Sequence, residues 1–148
     1  MKNGFSLIEL IIAVAILAII TSIAIPQYQN YLLRTHVTTE YSTAKNSLEK
    51  AIQEYIGHYG RMPNAGFNDL ASIGFIQNDG SIHTDTSLAT SGLSSINWNG
   101  SHIILQFSSS HQQESLQNKT IEIKVTSNKT GVSFKATGGT IAAHLLPK

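Results

Sequence analysis

The sequence predicts an α+β protein, in which a long N-terminal α-helix packs on an antiparallel β-sheet. Three observations carry this. Residues 5–25 are apolar except for Ser6, Glu9, Thr21 and Ser22, a pattern for a helix that is apolar on every side. From Tyr28 to Tyr59 apolar residues recur mostly at three- and four-residue spacing, the period of one helix face. In the last third the pattern changes to short β-branched alternations, the period of strands with one buried face.

The first element is long enough to cross a bilayer, because about twenty residues rising about 1.5 Å each match a hydrocarbon core near 30 Å. Glu9 stands inside it. A carboxylate there costs about 2.5–3.5 kcal/mol on insertion scales and marks a functional position whose partner must be sought. A secretory signal peptide has a shorter apolar stretch and a small-residue cleavage site behind it, whereas here Ile23-Ala24-Ile25-Pro26 follows. A plain anchor explains the length but neither Glu9 nor the four-residue leader. Cleavage ahead of the run, between Gly4 and Phe5, keeps the whole helix and places a new amine in the same apolar layer as Glu9. In low dielectric each of those charges is heavily penalised without the other.

Gly4-Phe5-Ser6-Leu7-Ile8-Glu9, the apolar run behind it and Ile25-Pro26-Gln27-Tyr28 resemble the prepilin signature of type IV pilins. The resemblance covers about the first thirty residues and is much fainter beyond them. It implies that a membrane peptidase removes Met1–Gly4 and methylates the amino group of Phe5. It also implies a helix that anchors the subunit in the bacterial inner membrane, with the C-terminal domain outside the cytoplasm, and then becomes the core of an extracellular pilus. Glu9 matches the carboxylate that neutralises a terminal amine of a neighbouring subunit. The implied organisation is a leader at 1–4, a transmembrane or filament-core helix at 5–28, and a globular domain at 29–148. Implied partners are copies of the chain and other pilins, the prepilin peptidase and the inner-membrane assembly platform.

The helical pattern runs on through Tyr28, Tyr31/Leu32, Tyr41, Ala44, Leu48, Ala51/Ile52, Tyr55 and Tyr59. Gly57, Gly60 and Pro63 are stop signals, so the amphipathic part is expected to reach about residue 57. Pro26 lies inside the helix, where it removes a donor and crowds the Ser22 carbonyl, so a kink is expected. Thr21 and Ser22 are candidates to bond the freed backbone groups. The resemblance implies local unwinding over Ala18–Pro26 in a filament. A connection at 58–93 follows, rich in Gly, Asn, Asp and Ser, with one short helix expected around Asn68–Ser72. Strands are predicted at Ile96–Trp98, His102–Ser108, Lys119–Ser127 and Val132–Thr137. Ile121, Ile123 and Val125 should share one face with Val132, Phe134 and Ala136, and Asn128–Gly131 supplies the turn between them. An antiparallel meander against the amphipathic helix covers both apolar faces, with Ile141–Lys148 packing back on the sheet.

With 148 residues and 41% hydrophobic content, the chain reads as one anchored domain. Net charge is +1, falling to zero if Lys2 leaves with the leader, so no global electrostatic partner is implied. The chain has no cysteine, which excludes thiolate catalysis and Cys-ligated zinc. Many type IV pilins staple the C-terminal region with a disulfide, so here packing and hydrogen bonds must hold it. The six histidines show no metal-binding spacing, and His111 to Glu114 lacks a second histidine and a helical setting. Asn78-Asp79-Gly80 reads as an Asx turn and fails the calcium-loop template. No nucleophile elbow, H-E-x-x-H helix or phosphate loop occurs, and neither an enzyme nor a cofactor is expected.

Asp69, Asp79 and Asp85 cluster in the connection, whereas lysines dominate the C-terminal third. Lys124 and Lys135 should lie on the exposed sheet face, with Lys129 at the turn. They are candidate contacts for the acidic connection of another subunit or for DNA phosphates, against an ordinary solvated surface. The expected role is a non-enzymatic filament subunit serving adhesion, twitching motility or DNA uptake. Alternatives are a pseudopilin of type II secretion, a minor pilin acting as DNA receptor in competence, and a signal-anchored surface protein that never polymerises. Ile25 to Tyr31 leans towards true pilins.

Overall fold

The computed structural model describes residues 5–66, 68–74, 76, 77, 79, 81, 92–128 and 131–147. It divides into two compact units, Met1–Leu32 and Leu33–Lys148. Helix α1, Leu7–Tyr59, supplies residues to both, and its 53 residues run through Pro26 without interruption. In the first unit every described residue from Phe5 to Tyr31 is exposed.

In the second unit α1 becomes amphipathic. It buries Val37, Glu40, Tyr41, Ala44, Leu48, Ala51, Ile52 and Tyr55, which lie three or four apart on one face. The stripe is narrower than the sequence suggests, because Tyr28, Tyr31 and Tyr59 are all exposed. Tyrosine satisfies helical apolar spacing while keeping its hydroxyl in water, so period alone does not settle its burial. The helix ends on Gly60, which adopts φ 68° and donates its N–H to the Ile56 carbonyl at 2.8 Å. Only glycine takes that left-handed cap without penalty.

The connection contains the expected short helix, α2, Asn68–Ser72. Arg61 and Asp69 pair at 3.1 Å across it. It is tied to the sheet where Trp98 Nε1 donates to the buried Pro63 carbonyl at 3.1 Å. Asp79 Oδ1 accepts from the Ser81 N–H at 2.9 Å and the Ser81 hydroxyl at 2.7 Å, the bonds of an Asx turn. Asp85 falls outside the described residues.

Four strands follow: β1 Leu93–Trp98, β2 His102–Phe107, β3 Thr120–Asn128 and β4 Gly131–Gly139. They form one antiparallel meander in the order β1-β2-β3-β4. Ile96, Trp98, Ile103, Leu105, Phe107, Ile121, Ile123, Val125, Val132 and Phe134 face the core with the buried stripe of α1. The tail adds Ile141 and Leu145 to that core. It is also pinned to α1, where Arg34 Nη2 donates to the His144 carbonyl at 2.6 Å.

Two strand boundaries lie more than one residue outside the sequence reading, both beside bulges. β1 begins at Leu93, ahead of the expected Ile96, since its register shifts between Leu93 and Ser95. The Ser94 hydroxyl there bonds the Gln106 and Phe107 carbonyls, so the two-residue alternation is broken. β4 extends beyond Thr137 because a shift between Glu122 and Ile123 lets Gly138 and Gly139 pair with Glu122 and Ile121. Gly139 has φ 122°, and a Cβ there would strike the Thr120 carbonyl. That carbonyl accepts the N–H groups of Thr140 and Ile141 at 3.1 and 3.2 Å, which turns the chain into the tail.

Gly139→Ala is therefore expected to destabilise the fold by about 1–3 kcal/mol from backbone strain, with more from the contact. At Gly138 the nearest atom to an added Cβ is Glu122 Oε2 at 3.7 Å, so Gly138→Ala should change stability by less than about 1 kcal/mol. Denaturant melts of the full chain in detergent micelles check both.

Candidate functional site

Helix α1 opens on a reciprocal pair of hydrogen bonds. The Ser6 N–H donates to Glu9 Oε2 at 2.9 Å, and the Glu9 N–H donates to Ser6 Oγ at 3.3 Å. Ser6 is thus the N-cap and Glu9 the third helical residue of a capping box, which satisfies two of the orphan donors at a helix start. The sequence reading missed this role, although Ser-x-x-Glu ahead of an apolar run is its signal. A carboxylate offers two oxygens and about four lone-pair directions. The cap therefore leaves Glu9 acceptor capacity for an amine from outside the chain.

Behind the cap the exposed surface is almost wholly hydrocarbon. Phe5 is 84% exposed, and Leu7, Ile8, Leu10, Ile11, Ile12, Val14, Ile16, Leu17, Ile19, Ile20, Ile23 and Ile25 are exposed with it. The best eighteen-residue window has mean hydropathy 2.8 and no buried share. Water does not tolerate a patch of that size; lipid or other apolar helices do. By length and composition this helix is able to cross a membrane.

Near Pro26 the hydroxyls point the other way from the sequence expectation. Thr21 Oγ1 donates to the Leu17 and Ala18 carbonyls at 2.9 and 3.1 Å, and Ser22 Oγ donates to the Ile19 carbonyl at 2.7 Å. The carbonyl that Pro26 deprives of a donor is that of Ser22. Helical side chains lean towards the N-terminus, so a hydroxyl reaches carbonyls three or four residues earlier and not its own. Relief of the Ser22 carbonyl would need a hydroxyl at residue 25 or 26, where Ile25 and Pro26 stand.

In the second unit the lysine candidates separate. Lys124 and Lys135 are exposed on the face of the sheet away from the core and stand directly opposite each other. His102 lies opposite Lys124 on the other side, which makes one row of basic side chains across β2, β3 and β4. Lys129 falls outside the described residues. The acidic connection is not a free patch at Asp69, whose carboxyl is held below the usual range by the Asn64 N–H, the Tyr55 hydroxyl and Arg61.

A polar site that sequence analysis did not single out lies in the core. Glu40 and His111 are both buried, and His111 Nε2 meets Glu40 Oε1 at 2.7 Å. Its signal was Glu40 itself, three residues after Val37 and four before Ala44 on the apolar stripe. Burial holds the Glu40 carboxyl above its ordinary range, opposed by the hydrogen bond and charge of His111 and the charge of His36. Among the described residues no three His, Asp or Glu side chains are placed to hold a metal ion.

Comparison with known proteins agrees with this geometry. Residues 1–25 match the family model of the prokaryotic N-terminal methylation motif. A fimbrial protein of Pseudomonas aeruginosa is 54% identical over 56 residues, which cover 36% of this chain and 36% of that protein. The fimbrial protein EcpC of Eikenella corrodens is 28% identical over 146 residues, covering 97% of this chain and 88% of that protein. The type IV major fimbrial protein FimA of Dichelobacter nodosus is 31% identical over 99 residues, covering 65% of this chain and 60% of that protein. The Pseudomonas alignment thus spans about a third of its relative's length, while the Eikenella alignment reaches across the sheet.

The apolar start of α1 is thus the part of the chain that carries the N-terminal methylation motif. The chain resembles type IV pilins: the relatives are fimbrial proteins, the Dichelobacter one a type IV major fimbrial protein. The family is structural and non-enzymatic.

Ser6→Ala deletes the cap acceptor for the Glu9 N–H. It is expected to lower amide protection over residues 7–10 by about fivefold, the loss typical of one N-cap. Hydrogen exchange of the full chain in micelles reads this directly.

Proposed function

We propose that this chain is the repeating structural subunit of a type IV surface filament and polymerises through the first unit of α1. The observation that carries the reading is the fully exposed apolar helix bearing a single carboxylate, Glu9, one turn from the cleavage motif. A leader peptidase cuts between Gly4 and Phe5, and the new amine on Phe5 is methylated. The helix holds the subunit in the inner membrane with its second unit outside the cytoplasm. Assembly moves it from lipid into a bundle of identical helices.

That transfer exchanges one apolar setting for another, so it has little hydrophobic driving force of its own. Packing and charge must give it direction. Glu9 supplies the charge. Its capped oxygen stays with Ser6 while its remaining lone pairs accept the Phe5 amine of a neighbouring copy. Unpaired, either charge would be strongly disfavoured in the bundle, so only the register that joins them is stable. In the assembled fibre α1 unwinds ahead of Pro26, where the Ser22 carbonyl already lacks its helical donor, and the fibre gains extensibility there.

A second reading concerns a partner of the assembled surface. Lys124 and Lys135 place like charges directly opposite one another, an arrangement that repels and that a polyanion such as a nucleic-acid backbone would relieve.

Glu9→Ala is expected to leave membrane insertion intact and to reduce surface filaments severely, scored by fractionation and electron microscopy. Wild-type piliation by that variant would sink the assembly mechanism. Mass measurement of the mature N-terminus should show Met1–Gly4 absent and one methyl group added. For the second reading, Lys124→Ala with Lys135→Ala should flatten the salt dependence of DNA binding by about 0.9 per lost phosphate contact. An unchanged slope would remove the sheet face as a nucleic-acid surface.

A further inference from the structure

We infer that Glu40 and His111 form a one-proton switch in the core, which clamps the β2–β3 connection onto α1 when it holds the proton and loosens that connection when it loses it. The side chains of His111 and Glu40 are 4% and 10% exposed, and they join segments 71 residues apart. The remaining imidazole nitrogen meets the β2–β3 connection. His111 Nδ1 has both backbone groups of one residue within reach, the Gln113 N–H at 3.0 Å and the Gln113 carbonyl at 3.3 Å, so it accepts from the first when bare and donates to the second when protonated. With Nδ1 bare the pair carries one buried negative charge. Glu40 Oε2 has no hydrogen-bond partner among the described residues, so that charge is poorly compensated.

One added proton neutralises the pair, and the connection has a place for it. The Gln113 carbonyl lies 3.3 Å from Nδ1. A protonated Nδ1 would turn from accepting the Gln113 N–H to donating to the Gln113 carbonyl. The proton thus selects between two arrangements of one peptide group. Gln117 Nε2 donates to the His111 carbonyl at 3.0 Å, so the change at His111 reaches the rest of the connection.

The surroundings are built for this pair. Gly92, at φ 71°, covers it, and a Cβ there would lie 2.8 Å from the His111 ring and 2.9 Å from Glu40 Oε1. The Gly92 carbonyl accepts the Ser108 N–H at 2.8 Å, which holds this cover in place. Beside Gly92 a cavity of about 400 Å3, lined by Thr35, His36, Thr39, Thr43, Gly92 and Gln112 with the pair itself, gives the proton a route from solvent. From α1 the titratable neighbour is His36, whose ring stands edge-on to His111 at 6.0 Å. From β2 the neighbour is Phe107, edge-on at 5.5 Å and uncharged. The connection contributes neutral glutamines, and its Glu114 is exposed.

The direction follows from burial. With Nδ1 bare, a net charge is buried with one carboxylate oxygen unpartnered among the described residues, and burial likewise holds the Glu40 carboxyl above its ordinary range. The folded pair therefore disfavours its anionic form, and the stabilisation is lost as pH rises and the pair gives up its proton.

The test is hydrogen exchange of the full chain in detergent micelles at about pH 5.5 and about pH 8, corrected for intrinsic rates, with ring 15N shifts of His111. Protection over residues 108–118 should fall about tenfold at the higher pH, equivalent to about 1.4 kcal/mol, while the β3 amides of Ile121–Val125 hold. Glu40→Gln should abolish the pH dependence and His36→Asn should keep it. At about pH 8 the wild-type ring should be the neutral tautomer with its proton on Nε2. The switch is overturned if Glu40→Gln retains the wild-type pH dependence or His36→Asn alone removes it. A doubly protonated His111 ring at about pH 8 overturns it equally, and that measurement needs no variant.

Discussion

One constraint governs this molecule: a single helical backbone passes from a segment with no polar face to one with a polar and an apolar face. Where no water is available every backbone N–H and C=O must be satisfied within its own segment, and the α-helix does that without a partner strand. The first unit meets this by continuity and a capped start, save at the Ser22 carbonyl that Pro26 deprives of its helical donor, and the Ser6–Glu9 box supplies the cap. From Val37 onward the same helix needs a surface to cover one stripe. The meander presents a face of Ile, Val, Phe and Trp side chains to it. The globular unit is thus the complement of half a helix.

The N-terminal helix also explains why this protein belongs with others that share little of its sheet. A helix apolar on all sides tolerates few substitutions, because each of its exposed positions has to stay apolar. The identity of 54% confined to 56 residues against the Pseudomonas protein and the 28% spread over 146 against the Eikenella protein are the two sides of that constraint. The sheet only has to keep one face apolar, so its outward residues are under no such constraint.

Much of this was legible in the residues. The alternation of Ile121, Ile123 and Val125, answered by Val132 and Phe134, identified the hairpin and its buried face. Gly57, Gly60 and Pro63 were read as stop signals with the helix reaching about residue 57, and α1 ends at Tyr59; Asn68–Ser72 was read as a helix and is one. What escaped depends on contacts between distant segments. Ser94 and Gly139 extend their strands through bulges, which break the alternation that reveals a strand. Glu40 joins His111 across most of the domain, so neither residue carries a local signal that names the other. Ser6 and Glu9 were visible, but the charge of Glu9 drew the reading to assembly and away from its spacing.

The contact between Arg34 and the His144 carbonyl spans 110 residues. Closing a loop of that length carries an entropic cost before any local gain, and such pairings form late. Arg34 lies just beyond the apolar segment, and His144 lies in the tail that follows the last strand. The α1–tail seam is therefore the last seam of the domain to close. Until then Ile141 and Leu145 remain outside the core, so the packing of α1 and the sealing of the tail are coupled through one guanidinium.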